Sequence, residues 1–237
     1  MQLHVEESGT GERTIVLLHG FNCDSADWWE LTPALIDRGY HVLALDLRGH
    51  GRSHRAGSYR IDEFADDVVE TLDGVHSKLI MGHSLGATVT GLVVDRLLPD
   101  RAVYLDPPWS PIDQVTRESL FPDLSSIPLM SDDELAATLR QDFPAWGEKA
   151  IEVDVASWRR WDPTSAAVLA GPLDAAKPVK PTVPSMVMFA GDGSLTAVSD
   201  QEDARARGFE VRIADGLTHS LFRDDFQLFL NRLEGWI

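Results

Sequence analysis

Several short apolar runs punctuate the chain without polar alternation: Ile15-Val16-Leu17-Leu18, Val42-Leu43-Ala44-Leu45, Leu79-Ile80-Met81, Ala102-Val103-Tyr104-Leu105 and Met186-Val187-Met188-Phe189-Ala190. Runs of this length, bounded by turn residues, read as strands covered on both faces. A last strand is expected at Phe209 to Ile213. Between the runs the apolar period lengthens. Leu85, Val89, Leu92, Val93 and Leu97 recur at helical spacing until Pro99, and Ile61, Phe64, Val68 and Leu72 mark a second helical face. Asp24 to Arg38 is expected to be a helix, with Asp24 or Ser25 as N-cap and Gly39 as its stop. Strand and helix in alternation predict an α/β fold with a mostly parallel sheet covered on both sides.

The alternation breaks between residues 107 and 183. This stretch opens with Pro107-Pro108-Trp109, has helical runs around Asp132 to Asp142 and Glu148 to Trp161, and ends in the Pro-rich segment Lys177 to Pro184. It reads as a helical cap inserted into a core made of residues 1–106 and 184–237. Four of the seven tryptophans (Trp109, Trp146, Trp158 and Trp161) belong to it, so it offers apolar surface to a pocket. Trp158 and Trp161 read as packing residues at i, i+3 spacing, and Trp109, just past a strand end, is the one expected to touch substrate.

The chemistry centres on Gly82-His83-Ser84-Leu85-Gly86, which follows one strand and opens one helix. A tight strand-to-helix turn pushes the serine out of the sheet, and the two glycines give it clearance. Unpaired amides and the dipole at the helix start favour negative charge developing there. Two other strands end in glycine turns, at His19-Gly20-Phe21 and at Asp46-Leu47-Arg48-Gly49-His50-Gly51-Arg52-Ser53.

These three segments resemble the α/β-hydrolase superfamily, in particular small esterase-like serine hydrolases with a helical cap. The likeness is close over the first hundred residues and good over the last fifty. It implies an oxyanion hole formed by the Phe21 and Leu85 amides, and a triad in the order serine, acid, histidine. Ser84 is the expected nucleophile and His219, between the last strand and the final helix, the expected base. Asp192, after Gly191 at the end of its strand, is taken as the acid, with Asp106 as its rival. Asp46 is read instead as holding the Arg-Gly-His-Gly turn. A serine hydroxyl needs such a base, and the imidazole needs a carboxylate to fix its tautomer.

His19, His50 and His83 are read as scaffolding. The eight histidines are scattered, with no metal-site spacing, and neither metal nor cofactor is expected. Cys23 is the only cysteine, so no intramolecular disulfide can form; it is read as an incidental small residue close to the site. At 237 residues and 43% hydrophobic content, one core of ordinary size is affordable. The net charge of −17 opposes binding to nucleic acid or anionic membranes. The N-terminal residues do not read as a signal peptide, and no run approaches the roughly 18 apolar residues of a membrane span, so a soluble cytoplasmic protein is expected.

The resemblance implies two-step acyl transfer on a small or medium apolar ester. Lactones and vinylogous diketones, whose carbon–carbon bond is cut, are alternative substrates for the same triad. A small-molecule receptor on a hydrolase scaffold is the alternative of another class. Relatives that open epoxides or remove halides use an aspartate nucleophile, which Ser84 does not match. Oligomeric state is not readable.

Overall fold

The computed structural model describes residues 1–109, 124, 126–171, 173–191 and 198–237. Seven strands form one sheet in the order β1-β3-β2-β4-β5-β6-β7. Their ranges are β1 His4–Ser8, β2 Arg13–Leu18, β3 Tyr40–Asp46, β4 Leu79–His83, β5 Ala102–Leu105, β6 Ser185–Ala190 and β7 Glu210–Ala214. β1 runs antiparallel to β3, and every other pairing is parallel.

Residues on β4, β5 and β6 are buried without exception, as continuous apolar runs require in a sheet covered on both faces. Side chains nevertheless alternate between two cores. Val16, Leu18, Ile80, Tyr104, Val187 and Phe189 face one, and Ile15, Leu17, Met81, Val103, Met186 and Met188 face the other. The first core is closed by α2 (Ile61–Thr71) and α3 (Leu85–Leu97) through Phe64, Val68, Val89 and Val93. The second is closed by α1 (Leu31–Ile36) and, at the far end of the chain, by Phe229 and Leu233.

Two helices expected to be single, the one after Asp24 and the final one, are each divided. The segment after Asp24 forms a short 3-10 helix, Ser25–Trp28, capped by Asp24, and only then α1. A continuous helix from Asp24 would place Pro33 in its interior, where the ring removes a backbone hydrogen bond; in α1, Pro33 lies in the first turn. Gly39 is the stop, with φ +78°. β1, with its alternating polar residues, carries no apolar run that would announce it.

Between β5 and β6 the insertion contributes α4 (Asp132–Asp142), α5 (Glu148–Arg160) and 3-10 turns at Ile127–Leu129, Pro163–Ala170 and Leu173–Ala176. Leu135, Leu139, Trp146, Ala150 and Ile151 form a small core of its own. Trp161, Val168 and Leu173 sink into the first core of the sheet. Between β6 and β7 lies α6 (Val198–Ala206), and after β7 come α7 (Leu221–Asp224) and α8 (Phe226–Arg232). Asp225 separates α7 from α8 and caps the latter, its carboxylate accepting from the Leu228 amide at 2.9 Å.

Gly86 fixes how closely α3 lies on the sheet. A Cβ there would fall 2.1 Å from the Leu18 carbonyl oxygen, and one on Gly82 would fall 2.2 Å from the Gly86 carbonyl oxygen. Both obstacles are backbone. Gly86→Ala is therefore expected to push α3 off β2 and to cost about 1–3 kcal/mol, read as a lower thermal midpoint, whereas Gly57→Ala, with open space around it, changes the midpoint little.

Candidate active site

β4 and β5 pair with His83 opposite Leu105, so Ser84 and Asp106 leave adjacent strands side by side. The Ser84 amide donates to the Leu105 carbonyl at 2.9 Å. Ser84 has φ +51° and ψ −113°, outside the regions that side chains favour, and it is the residue at which the strand becomes a helix. Asp106 also has a positive φ, +40°. Two strained non-glycine residues on neighbouring strand ends, each costing on the order of 1–3 kcal/mol, mark a site held in place by its surroundings.

Asp106 is fully buried. Its Oδ1 accepts from the Ala190 amide at 3.0 Å, and its Oδ2 accepts from Nδ1–H of His219 at 2.6 Å. The carboxylate thereby fixes the histidine tautomer, leaving Nε2 as the basic nitrogen. The His219 loop is held a second time, because Nε2–H of His83 donates to the His219 carbonyl at 2.8 Å. The two imidazoles lie 4.8 Å apart between centroids. Burial, and then the neighbouring His219, push the His83 pKa down to about 3, so His83 stays neutral. It is a strut for the His219 loop.

The loop after β2 closes over this point. A Cβ on Gly20 would lie 2.9 Å from His83 Nδ1 and 3.5 Å from the Ser84 Cβ, so only glycine lets the backbone pass. His19 secures the loop from below: Nδ1–H donates to the Gly20 carbonyl at 2.7 Å, and Nε2 accepts from the Leu47 amide at 2.9 Å. Asp46 ties both glycine turns together, accepting from the Ser25 amide at 2.6 Å and the Arg52 amide at 2.8 Å. Burial alone would raise its pKa, but the Arg52 and Ser25 hydrogen bonds bring it below the usual carboxylate value. His50 is buried, its pKa lowered to about 3 by desolvation and then by His19, and its ring meets Phe21 edge-on at 6.0 Å.

The expected residues are thus brought together in part. Ser84, Leu85, Phe21 and His219 gather at the strand ends. Asp192 lies outside the described residues, and the carboxylate that the structure pairs with His219 is Asp106. Trp109 is a correction: its ring is 2% exposed and packs on Tyr104 and Phe209 at 5.1 and 5.7 Å, with the Lys177 ammonium over it. It has no surface to offer a ligand. Trp161 is the tryptophan that meets Phe21, edge-on at 5.3 Å, with its Nε1–H satisfied by Ser165 Oγ.

The sequence reading missed a buried ionic cluster beside the site. Arg223, four residues after His219, binds Asp27 of the short 3-10 helix and Asp154 of α5, the latter at 2.7 Å. Its guanidinium lies 3.4 Å from Cys23 Sγ and over the Trp146 ring at 4.6 Å. Cys23, Asp27 and Asp154 converge closely enough to ligate a metal, but Arg223 already supplies the positive charge between them. Burial, and then Asp27, raise the Cys23 pKa, which keeps the thiol protonated and a poor nucleophile.

A sequence profile of the Alpha/beta hydrolase family matches residues 15–232. The chain belongs to this family. Epoxide hydrolase B of Mycobacterium tuberculosis is 44% identical over 80 residues, which are 32% of this chain and 22% of that protein. The match thus spans about a fifth of that relative's length. Among solved structures, the N-formylmaleamic acid deformylase of Pseudomonas putida S16 superposes with a TM-score of 0.81 at 19% identity, over 98% of this chain and 96% of that one. An esterase of Exiguobacterium antarcticum gives 0.79 at 15% identity, covering 99% and 94%. These structural likenesses concern the fold. No helix among the described residues is long and apolar enough to cross a membrane.

Two outcomes are expected. Trp109→Ala removes core packing and costs about 3–5 kcal/mol, lowering the thermal midpoint, while leaving relative rates across substrates unchanged for the folded fraction. Asp154 supplies a pH dependence. Burial raises its pKa from 3.8 to about 6, while Arg223 opposes that rise and Asp27 adds to it. The protonated form is favoured in the folded state, so its stabilising contribution is complete below the unfolded value near 3.8 and is lost as pH rises through about 6. Asp154→Asn should abolish this slope: chemical unfolding at pH 4.5 and 7.5 is expected to show the variant gaining stability relative to wild type at the higher pH.

Proposed function

We propose that the chain is a serine carboxylesterase whose triad is Ser84, His219 and Asp106, with Asp106 replacing Asp192 as the acid. The observation that carries this reading is the 2.6 Å hydrogen bond from His219 Nδ1–H to a fully buried carboxylate, on the strand next to the strained serine. His219 Nε2 takes the Ser84 proton as the oxygen attacks an ester carbonyl. The alkoxide that develops on the substrate is held by the Leu85 amide, at the first position of α3, and by the Phe21 amide. Collapse expels the alcohol, protonated by His219. The same imidazole then activates the water that releases the acid.

A hydroxyl nucleophile decides against epoxide opening, although the sequence match includes an epoxide hydrolase. Attack by Ser84 on an epoxide carbon would leave an ether, which a histidine-activated water does not cleave; a carboxylate nucleophile leaves a hydrolysable ester. The acyl pocket is proposed to be walled by Phe21 and by the cap that the insertion forms, with Trp161 behind Phe21, which favours small to medium apolar acyl groups. The expected setting is the cytoplasm, where a lone reduced cysteine is ordinary.

The test is covalent. A fluorophosphonate should label Ser84, located by peptide mapping, and Ser84→Ala should lose both label and ester turnover. Asp106→Asn should lower kcat on the order of 10⁴-fold through loss of the imidazole tautomer, and Asp192→Asn by far less. Greater damage from Asp192→Asn at matched stability would return the role to Asp192. A panel of nitrophenyl esters beside a lactone and a vinylogous diketone fixes the carbonyl class.

A further inference from the structure

One helix of the insertion reaches the loop after β2 directly at two residues and through Arg223 at a third. Asp154 on α5 shares Arg223 with Asp27. Trp158 Nε1–H donates to the Asn22 side-chain oxygen at 2.8 Å, with that amide oriented to satisfy both of its ends. Arg160 binds the buried Asp24 carboxylate at 2.6 Å. Asn22, Asp24 and Asp27 all lie on the short stretch that follows Phe21, and Asn22 itself has φ +54°. Arg223 then joins this stretch to α7, the helix that begins two residues after His219. From the core, the same loop is held by His19 and Asp46 and, through Asp27, by Arg223.

We propose that α5 is a positioning element for the reaction as well as part of a wall around the substrate. Asp154, Trp158 and Arg160 hold the loop that carries the Phe21 amide in register with Ser84, and Arg223 carries the same restraint to His219. The inference rests on the roles assigned above to Ser84, His219 and Phe21. Its physical basis is that an oxyanion donor works only within tenths of an ångström of the developing charge, and that a loop whose regular structure is one short 3-10 turn keeps such a position only if anchored along its length. Buried ionic contacts suit this task. They are directional, and a partner left unpaired in the interior is strongly disfavoured, so few alternative loop positions remain.

The experiment separates positioning from wall-building by using a probe too small to touch the insertion. The second-order rate of Ser84 labelling by a dimethyl-sized fluorophosphonate is measured beside kcat and KM for a short nitrophenyl ester. The variants are Asp154→Asn with Arg160→Gln, and Trp158→Phe, which keeps the ring and loses only the N–H. Arg160→Lys is the conservative rescue, and Arg140→Gln, in an exposed ion pair with Glu148, is the control on the same insertion. Positioning predicts that labelling and kcat fall together, on the order of tenfold for the double variant and less for Trp158→Phe, with KM within about twofold. It also predicts recovery in Arg160→Lys and no change in Arg140→Gln. All rates are normalised to the folded fraction from thermal melts. Should the double variant fold poorly, Trp158→Phe carries the comparison alone. Labelling and kcat at the wild-type level with a raised KM would overturn the proposal and leave α5 as a wall. Failure of wild type to label at Ser84 is a different result, since it removes the catalytic assignment and the positioning role with it.

Discussion

The close approach of α3 to the ends of β2 and β4 is the constraint on which the site depends. Gly86 lies so near the Leu18 and His19 carbonyls that no side chain fits, and Gly82 lies as close to the helix backbone. With both glycines in place, the chain turns from strand to helix within one residue, and that residue is Ser84, at φ +51°. The same contact draws the Gly20 backbone over the serine. A small displacement of α3 would relax the serine and detach the loop in one movement, so the proposed nucleophile and the proposed anion-binding loop share one packing contact.

Around this contact the imidazoles divide into those that brace backbone groups and the one that a carboxylate orients. His19 uses both ring nitrogens on backbone groups. His50 and His83 are lowered to about 3, chiefly by burial, and are neutral near pH 7. His219 alone among the four has a carboxylate on its ring. A neutral imidazole is a rigid bifunctional spacer between backbone groups, and an imidazole beside a carboxylate can accept a proton at low cost. Composition gives every histidine the same chemistry, and the partners decide which of the two roles it takes.

The apolar runs and the glycine turns made much of this legible. Continuous runs at Ile15 to Leu18 and Met186 to Ala190 could only be strands covered on both sides, and glycines flanking a serine between strand and helix have few other uses. The acid could not be read in the same way. Asp106 and Asp192 both follow an apolar strand, and both fall between Ser84 and His219 in the chain, so neither context nor order separates them. What separates them is lateral: β5 adjoins β4, whereas β6 is one strand further from the serine. Sheet order is tertiary information. The Arg223 cluster was invisible for a related reason, because Cys23, Asp27, Asp154 and Arg223 come from three distant segments and no local pattern links them. Trp109 misled because a tryptophan just past a strand end reads as facing a pocket, yet the chain folds its ring back onto Tyr104 and Phe209.

The insertion departs from the sheet just after Asp106, and this placement bears on how the fold could change substrates without losing its chemistry. The proposed acid is the first residue after β5, with φ +40°, and its carboxylate accepts from the Ala190 amide and from His219, both core groups. Variation in the insertion therefore need not move the acid. The loop after β2 differs, since its side chains Asn22, Asp24 and Asp27 turn toward α5 and the Arg223 node. An insertion of new shape would have to reproduce those three anchors or release the loop that carries Phe21. On this reading the acid is insulated from the insertion by the sheet, and the oxyanion loop, with the Arg223 link to α7, is the part of the machinery through which a change in the insertion reaches the chemistry.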